Sequence, residues 1–180
     1  MNPKKVVIAG GPGTGKTSII NHLKERGFTC YDEISRQVTL QARKDGIEQL
    51  FLTEPLLFSE KLLTGRIQQF NNAADERESV VFLDRGIPDV LAYMDYIGDQ
   101  YPEYFIDASM TNKYDYVFIL APWQEIFVSD NERYENFEQA IEIHHYLIRT
   151  YMRFGYQLID VPFASIENRS DFILEELNMM

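Results

Sequence analysis

The sequence predicts a three-layer α/β fold, with a parallel five-stranded sheet and helices on both faces. Three observations carry this. Short apolar runs rich in β-branched residues (Val6-Val7-Ile8-Ala9, Val80-Val81-Phe82-Leu83, Tyr116-Val117-Phe118-Ile119-Leu120) alternate with longer stretches of helical character. A glycine-rich stretch, Gly10 to Thr17, joins the first run directly to a helical segment. No repeat, low-complexity tract or linker rich in Gly, Ser or Pro divides the 180 residues, of which 45% are hydrophobic. A single domain over residues 1–180 with a sizeable core is therefore expected.

Taken in order, the first strand is expected at about 4–9 and the first helix at about 15–26, stopped by Gly27. A short strand follows, from Phe28 to Cys30 or Tyr31. Helices are expected near 33–45 and 55–76, separated by Gly46 and Pro55. The strand at Val80–Leu83 ends on Asp84, and a helix near 88–97 comes next. After the strand at 116–120, a helix spans about 136–154 and is ended by Gly155. Gln157 to Val161 is the last strand, and a helix over about 165–178 closes the chain.

Composition narrows the partners. Net charge is −11, which argues against nucleic acid, whose phosphates attract basic surfaces. A nucleotide remains compatible, since a phosphate cradle built from backbone N–H groups can sit in an acidic protein. No apolar run reaches membrane-spanning length, and the first strand begins too early to leave room for a targeting segment. The one cysteine, Cys30, excludes an internal disulfide, fits a cytoplasmic location and reads as a strand residue facing the core. His144 and His145 are adjacent on one helix and point in different directions, so neither suggests a metal site.

Gly10-Gly11-Pro12-Gly13-Thr14-Gly15-Lys16-Thr17 matches G-x-x-x-x-G-K-[ST] in full, between a strand and a helix as that motif requires. Glycines let the backbone curl so that successive N–H groups, through Ser18, face phosphate oxygens, and the helix adds its positive end. Lys16 is expected on the β- and γ-phosphates and the Thr17 hydroxyl on Mg²⁺. The fold is then the three-layer nucleoside triphosphate hydrolase type, in its nucleotide-kinase-like form.

In such sheets ligands sit beyond the carboxyl ends of the strands. After the second strand come Asp32, Glu33 and Arg36. Either carboxylate is a candidate base for an acceptor hydroxyl, Asp32 is equally a candidate helix cap, and Arg36 is a candidate clamp for an anionic group. After the third strand come Asp84 and Arg85. Asp84 is expected to bind Mg²⁺ and Arg85 to steady charge on the acceptor or the transferring group. No second acid follows Asp84, which favours transfer to a bound acceptor over hydrolysis. The charged stretch Asp130 to Glu138 reads as a lid (about 129–138) carrying Arg133, with Arg149 and Arg153 behind it. The loop Val161-Pro162-Phe163-Ala164 is placed to pack on an adenine ring, Pro162 in particular. Four tyrosines, Tyr93, Tyr96, Tyr101 and Tyr104, lie in the stretch where an acceptor pocket is expected. The N/T-K-x-D motif for guanine is absent, since Asn112-Lys113-Tyr114-Asp115 precedes its strand, so ATP is expected rather than GTP.

These residues together resemble the small phosphate-loop ATPases related to the ribosylnicotinamide kinase domain of the bacterial nicotinamide-nucleotide regulator. The resemblance rests on the Gly10–Thr17 loop, Tyr31–Arg36, Phe82–Asp89, Asp130–Glu135 and Asp160–Pro162. The plan is also similar to that of deoxynucleoside kinases. There an acid after the second strand is the base, and an acid–arginine pair after the third binds the acceptor. Asp32 or Glu33, and Asp84-Arg85, fall at those positions. The resemblance implies an ATP- and Mg²⁺-dependent phosphotransferase for a small nucleoside-like or other metabolite acceptor. An animal branch similar in its loop binds GTP and phosphatidic acid, which implies the alternative of a nucleotide-dependent binding module with slow hydrolysis. A motor-type ATPase ranks last, because the second acid and a helical lid domain are missing. No nicotinamide-specific residue and no adenylyltransferase domain is present, so the acceptor's identity does not carry over.

Overall fold

The computed structural model describes residues 2–127 and 135–179. Five strands form one sheet: β1 (Lys4–Gly10), β2 (Thr29–Tyr31), β3 (Val80–Asp84), β4 (Tyr116–Leu120) and β5 (Leu158–Asp160). Their order is β2-β3-β1-β4-β5 and every pair is parallel. The central strand β1 is flanked by β3, with Ile8 opposite Asp84, and by β4, with Gly10 opposite Leu120. All five strands therefore end at one edge, where the motif residues gather.

The helices are α1 (Lys16–Glu25), α2 (Ser35–Lys44), α3 (Leu50–Thr53), α4 (Pro55–Ala74), α5 (Ile87–Ile97), α6 (Glu103–Thr111), α7 (Phe137–Arg153) and α8 (Ile166–Glu176). Side chains alternate across the sheet with period two, as a pleated strand requires. Val6 and Ile8 of β1, with Phe82 and Phe118, pack against Ile19, Ile20 and Leu23 of α1 and Ile173 and Leu174 of α8. Val7 and Ala9, with Leu83, Val117 and Ile119, face Leu62 of α4, Leu91 of α5 and Leu147 and Tyr151 of α7. Those strands are covered on both faces, which is why their sequence runs are continuously apolar.

The expected elements are present with every end within two residues of its expected place, and two helices are added. The four-residue α3 is too short to show a period. In α6, Phe105, Ala108 and Ser109 turn inward at helical spacing behind Pro102, a pattern masked by tyrosines on both sides. Capping accounts for the clearest boundaries. Asn136 and Gln139 form a reciprocal capping box at the start of α7, and the Ser165 hydroxyl accepts from Asn168 N–H at the start of α8. Gly27 and Gly155 follow α1 and α7 with φ of 89° and 80°, the left-handed turn glycine permits.

Cys30 is half-buried, and burial pushes its thiol up to about 12, so it stays protonated. No helix among the described residues is long and apolar enough to cross a membrane.

Candidate active site

The loop between β1 and α1 is shaped by close packing. A Cβ on Gly10 would lie 2.9 Å from the Leu120 carbonyl oxygen, and one on Gly15, whose φ is 89°, would lie 2.7 Å from Arg169 Nη1. Neither position admits a side chain. Thr14 is fully buried and its hydroxyl donates to the Gly11 carbonyl at 3.0 Å. Lys16 Nζ donates to the same carbonyl at 2.8 Å, so the ammonium is folded back into the loop. Burial lowers its pKa to about 7, and the positive charge of Arg85 pushes the same way, against the nearby carboxylates of Asp84, Asp89 and Glu33. Thr17 is exposed at the mouth of the loop.

Asp84 closes β3 next to the loop. It is 4% exposed, and its Oδ1 is buried with no hydrogen-bond partner. Burial raises its pKa, while Lys16 and Arg85 pull it the other way. The Thr17 hydroxyl and the unpartnered Asp84 oxygen are hard oxygen donors near the end of the β1–α1 loop, a donor set whose chemistry fits Mg²⁺. No group of three His, Cys, Asp or Glu side chains suited to a metal occurs among the described residues, so phosphate oxygens and water would complete the shell.

Arg85 has φ of 72°, a left-handed conformation that costs a non-glycine residue about 1–3 kcal/mol. The turn is held from all sides. Arg85 N–H donates to the Ile8 carbonyl at 3.1 Å, and Gly86 N–H to Asp89 Oδ2 at 2.8 Å. Arg66 Nη1 donates to the Gly86 carbonyl at 2.9 Å, and the Tyr151 hydroxyl to Asp89 Oδ2. A Cβ on Gly86 would meet Tyr151 Oη at 2.7 Å.

Two cavities border the Gly10–Thr17 loop, one at Gly13, Gly15 and Ser18 and the other at Pro12. The first, about 530 Å³, is lined by Gly13, Gly15, Ser18, Trp123, Ala164 and Arg169, among others. Trp123 stacks on Phe163, ring centroids 5.0 Å apart and planes 19° apart. The Arg169 guanidinium lies 5.8 Å from the Trp123 ring centre and donates to the Thr14 carbonyl at 2.8 Å. The second cavity, about 300 Å³, has Pro12 at its border. Its polar end is formed by Glu33, Arg66, Arg85 and Asp89, and its apolar walls include Phe51, Phe58 and Tyr93. Glu33 Oε1 accepts from Arg66 Nη2 at 3.1 Å and from Ser35 N–H at 3.0 Å, and Oε2 from the Ser35 hydroxyl. Burial alone would raise Glu33, but Arg85, Arg66 and Ser35 outweigh it and hold it at about 2.

Several expected residues lie elsewhere. Asp32 is outside both cavities, ion-paired with Lys24 at 2.5 Å, and does not cap α2; the Glu33 carboxylate takes the Ser35 N–H instead. Arg36 is exposed and lines neither cavity. It is two residues from the inward stripe Ile34, Val38 and Ala42, which puts it on the opposite side of α2. Arg66 occupies the place expected of it. Pro162 is exposed; Phe163 and Ala164, the next two residues, are the ones that reach Trp123 and the first cavity. Arg153 ends α7 at the amino edge of the sheet, just before β5, and donates to the Tyr101 hydroxyl; Arg149, one turn earlier, packs over Tyr146. Lys113 is at that same far edge, where Nζ donates to the Phe154 carbonyl. Arg133 and most of the expected lid lie outside the described residues.

Arg66, Asp89, Trp123 and Arg169 were not singled out by the sequence. Arg66 carried a signal, because it continues the buried series Phe58, Leu62 at four-residue spacing. Asp89 carried one as well, three residues after Gly86 and next to Pro88, at a helix start. Trp123→Ala is expected to weaken nucleotide binding about tenfold or more by removing a stacking wall of the first cavity. Titration of a fluorescent ATP analogue measures this; an unchanged affinity would take that cavity out of the nucleotide site.

The AAA domain family model matches residues 5–169. No curated protein matches the sequence. Among solved structures, the chain is similar to deoxyadenosine kinase from M. mycoides with products dCMP and dCDP bound, with a TM-score of 0.72 and 17% identity over 98% of this chain and 100% of that one. It is similar to the NadR protein in complex with NR, with a TM-score of 0.76 and 18% identity over 96% of this chain. There it spans about half of the longer chain, 51%. Thymidylate kinase from Candida albicans matches with a TM-score of 0.68 and 16% identity, covering 98% of this chain and 92% of that one. At these identities the likeness establishes the fold.

Proposed function

The chain belongs to the AAA domain family, and on that premise we propose that it is an ATP- and Mg²⁺-dependent kinase for a hydroxyl on a small, nucleoside-like acceptor. The observation that carries the reading is the pair of cavities flanking one phosphate loop. A nucleotide switch needs the first cavity alone. A phosphotransferase needs a second, opening on the other side of the γ-phosphate, and it needs a carboxylate there.

The first cavity takes the nucleoside end of ATP, against Trp123 and Arg169. The loop from Gly10 to Ser18 cradles the phosphates, with Lys16 swinging from the Gly11 carbonyl onto them. Thr17 and Asp84 would hold Mg²⁺, which when bound neutralises charge on the β- and γ-phosphates. The acceptor lies in the second cavity with its hydroxyl toward Glu33. As the acceptor oxygen bonds to the γ-phosphorus, the bond to the β,γ-bridging oxygen breaks, ADP leaves and the hydroxyl proton passes to Glu33. A carboxylate held near 2 is a weak base, which suits a loose transition state in which the proton moves late. Arg85 faces the charge that develops on the transferring group.

The charges of the second cavity support a phosphate-free acceptor. Its lining holds three carboxylates, Glu33, Asp89 and Glu135, against two arginines, Arg66 and Arg85. Arg66 is already engaged by Glu33 and the Gly86 carbonyl. A phosphate there would meet net negative charge. The likeness to a deoxyadenosine kinase solved with nucleotide products supports a nucleoside-like acceptor.

The test is the full chain with ATP, Mg²⁺ and a panel of nucleosides, read by mass spectrometry. ADP and a phosphorylated acceptor in equal amounts support the reading. Slow ADP formation at one rate with every acceptor, with no phosphorylated product, would replace it with the nucleotide-switch alternative. Glu33→Gln is expected to slow transfer by about 10²–10⁴-fold, and Asp32→Asn to leave the rate within about twofold. Equal rates for Glu33→Gln and wild type in single-turnover assays would remove Glu33 from the chemistry.

A further inference from the structure

One carboxylate lining the second cavity has a buried oxygen that accepts no hydrogen bond and meets only a long ion pair. Asp89 is 4% exposed. Its Oδ2 is doubly engaged, by Gly86 N–H at 2.8 Å and by the Tyr151 hydroxyl, so the plane of the group is fixed. Its Oδ1 is buried without a hydrogen-bond partner, and the nearest cation, Arg85 Nη1, is 3.8 Å away, beyond hydrogen-bond reach. A buried carboxylate oxygen left without a donor is costly, and helix capping accounts only for the other oxygen. Asp89 lines the same cavity as Glu33, the aromatic walls Phe51, Phe58 and Tyr93, and Arg85.

We propose that Asp89 is an acceptor-binding residue that receives a hydrogen bond from a second hydroxyl of the acceptor, so that the site selects a polyhydroxylated ring carrying a flat apolar group, as in a ribonucleoside. This rests on the kinase reading and deepens it. Glu33 addresses the hydroxyl that is phosphorylated, and Asp89 Oδ1 a neighbouring hydroxyl that is not. The fixed Oδ2 makes Asp89 rigid, and a rigid buried acceptor discriminates sharply. An analogue lacking the hydroxyl leaves the oxygen unpaired and is rejected for that reason.

The experiment measures binding by calorimetry, on the full chain without ATP. The probes are the four common ribonucleosides and the 2′-deoxy and 3′-deoxy form of each. At least one ribonucleoside is expected to bind wild type 10- to 100-fold more tightly than one of its deoxy forms. Asp89→Asn can keep its oxygen on Gly86 N–H and Tyr151 while turning Nδ2 into the cavity, replacing an acceptor by a donor. In this variant the ratio is expected to fall to about one, through lost ribonucleoside affinity, with ATP affinity retained as the sign of an intact fold. A wild-type protein that binds ribo and deoxy forms equally overturns the assignment without any variant, as does an Asp89→Asn protein that keeps the ratio. Absence of binding by every nucleoside overturns it too. Adding ATP to the same samples separates the two readings: transfer without discrimination sinks the Asp89 assignment alone, whereas acceptor-independent ADP formation sinks the kinase reading.

Discussion

Lys16→Ala is expected to abolish phosphoryl transfer while the protein still folds. Lys16 donates to a loop carbonyl and makes no part of either apolar core, so its loss removes the proposed phosphate contact and little packing. The pH behaviour gives a second handle. Burial holds the free-enzyme pKa near 7, below the ordinary 10.5, so the unfolded chain binds more protons than the native one between those values. Stability of the nucleotide-free protein should therefore rise as pH climbs from about 7 towards 10.5, and Lys16→Ala should flatten that rise. The triphosphate favours the charged ammonium. ATP binding at pH 8 should take up nearly one proton, measurable by calorimetry in buffers of different ionisation heat, and the variant should take up none from this group. Full activity in a folded Lys16→Ala protein would remove the phosphate loop from the reaction.

Asp84→Asn is expected to cost at least 10³-fold in transfer rate with a modest loss of nucleotide affinity. The amide keeps the shape of a buried side chain at the end of β3 but removes the charge suited to Mg²⁺. Burial makes the charged form of Asp84 unfavourable in the free protein, so the variant should be no less stable, and thermal unfolding should show an equal or higher midpoint. A fall in rate of twofold or less would make Asp84 a structural residue.

The fold was legible because its signals are local. The strand runs, the glycine loop and the order of elements can all be read within windows of about ten residues. The parallel sheet then brings Lys16, Glu33, Asp84 and Arg85 to one edge, since every strand ends there. What escaped depends on contacts distant in sequence. Arg66 meets Glu33 across 33 residues, and Arg169 meets Thr14 across 155. Tyr151 meets Asp89 across 62. Arg36 lies away from both cavities because proximity to a strand end does not say which way a helix turns its side chains. The Asn112-Lys113-Tyr114-Asp115 stretch shows the converse. It lies before β4, at the amino edge, and its Asp115 carboxylate accepts from Lys5 N–H at the opposite end of β1 from the Gly10–Thr17 loop.

In the proposed kinase, the two cavities bordering the Gly10–Thr17 loop hold donor and acceptor at once. A bisubstrate analogue, adenosine joined through an oligophosphate to a nucleoside, tests it most directly by equilibrium binding. Affinity at least 10²-fold tighter than that of ATP is expected for one linker length, falling on either side of it. The gain should be lost both in Trp123→Ala and in Asp89→Asn, which alter opposite cavities. An analogue that binds no more tightly than ATP at any linker length would contradict it.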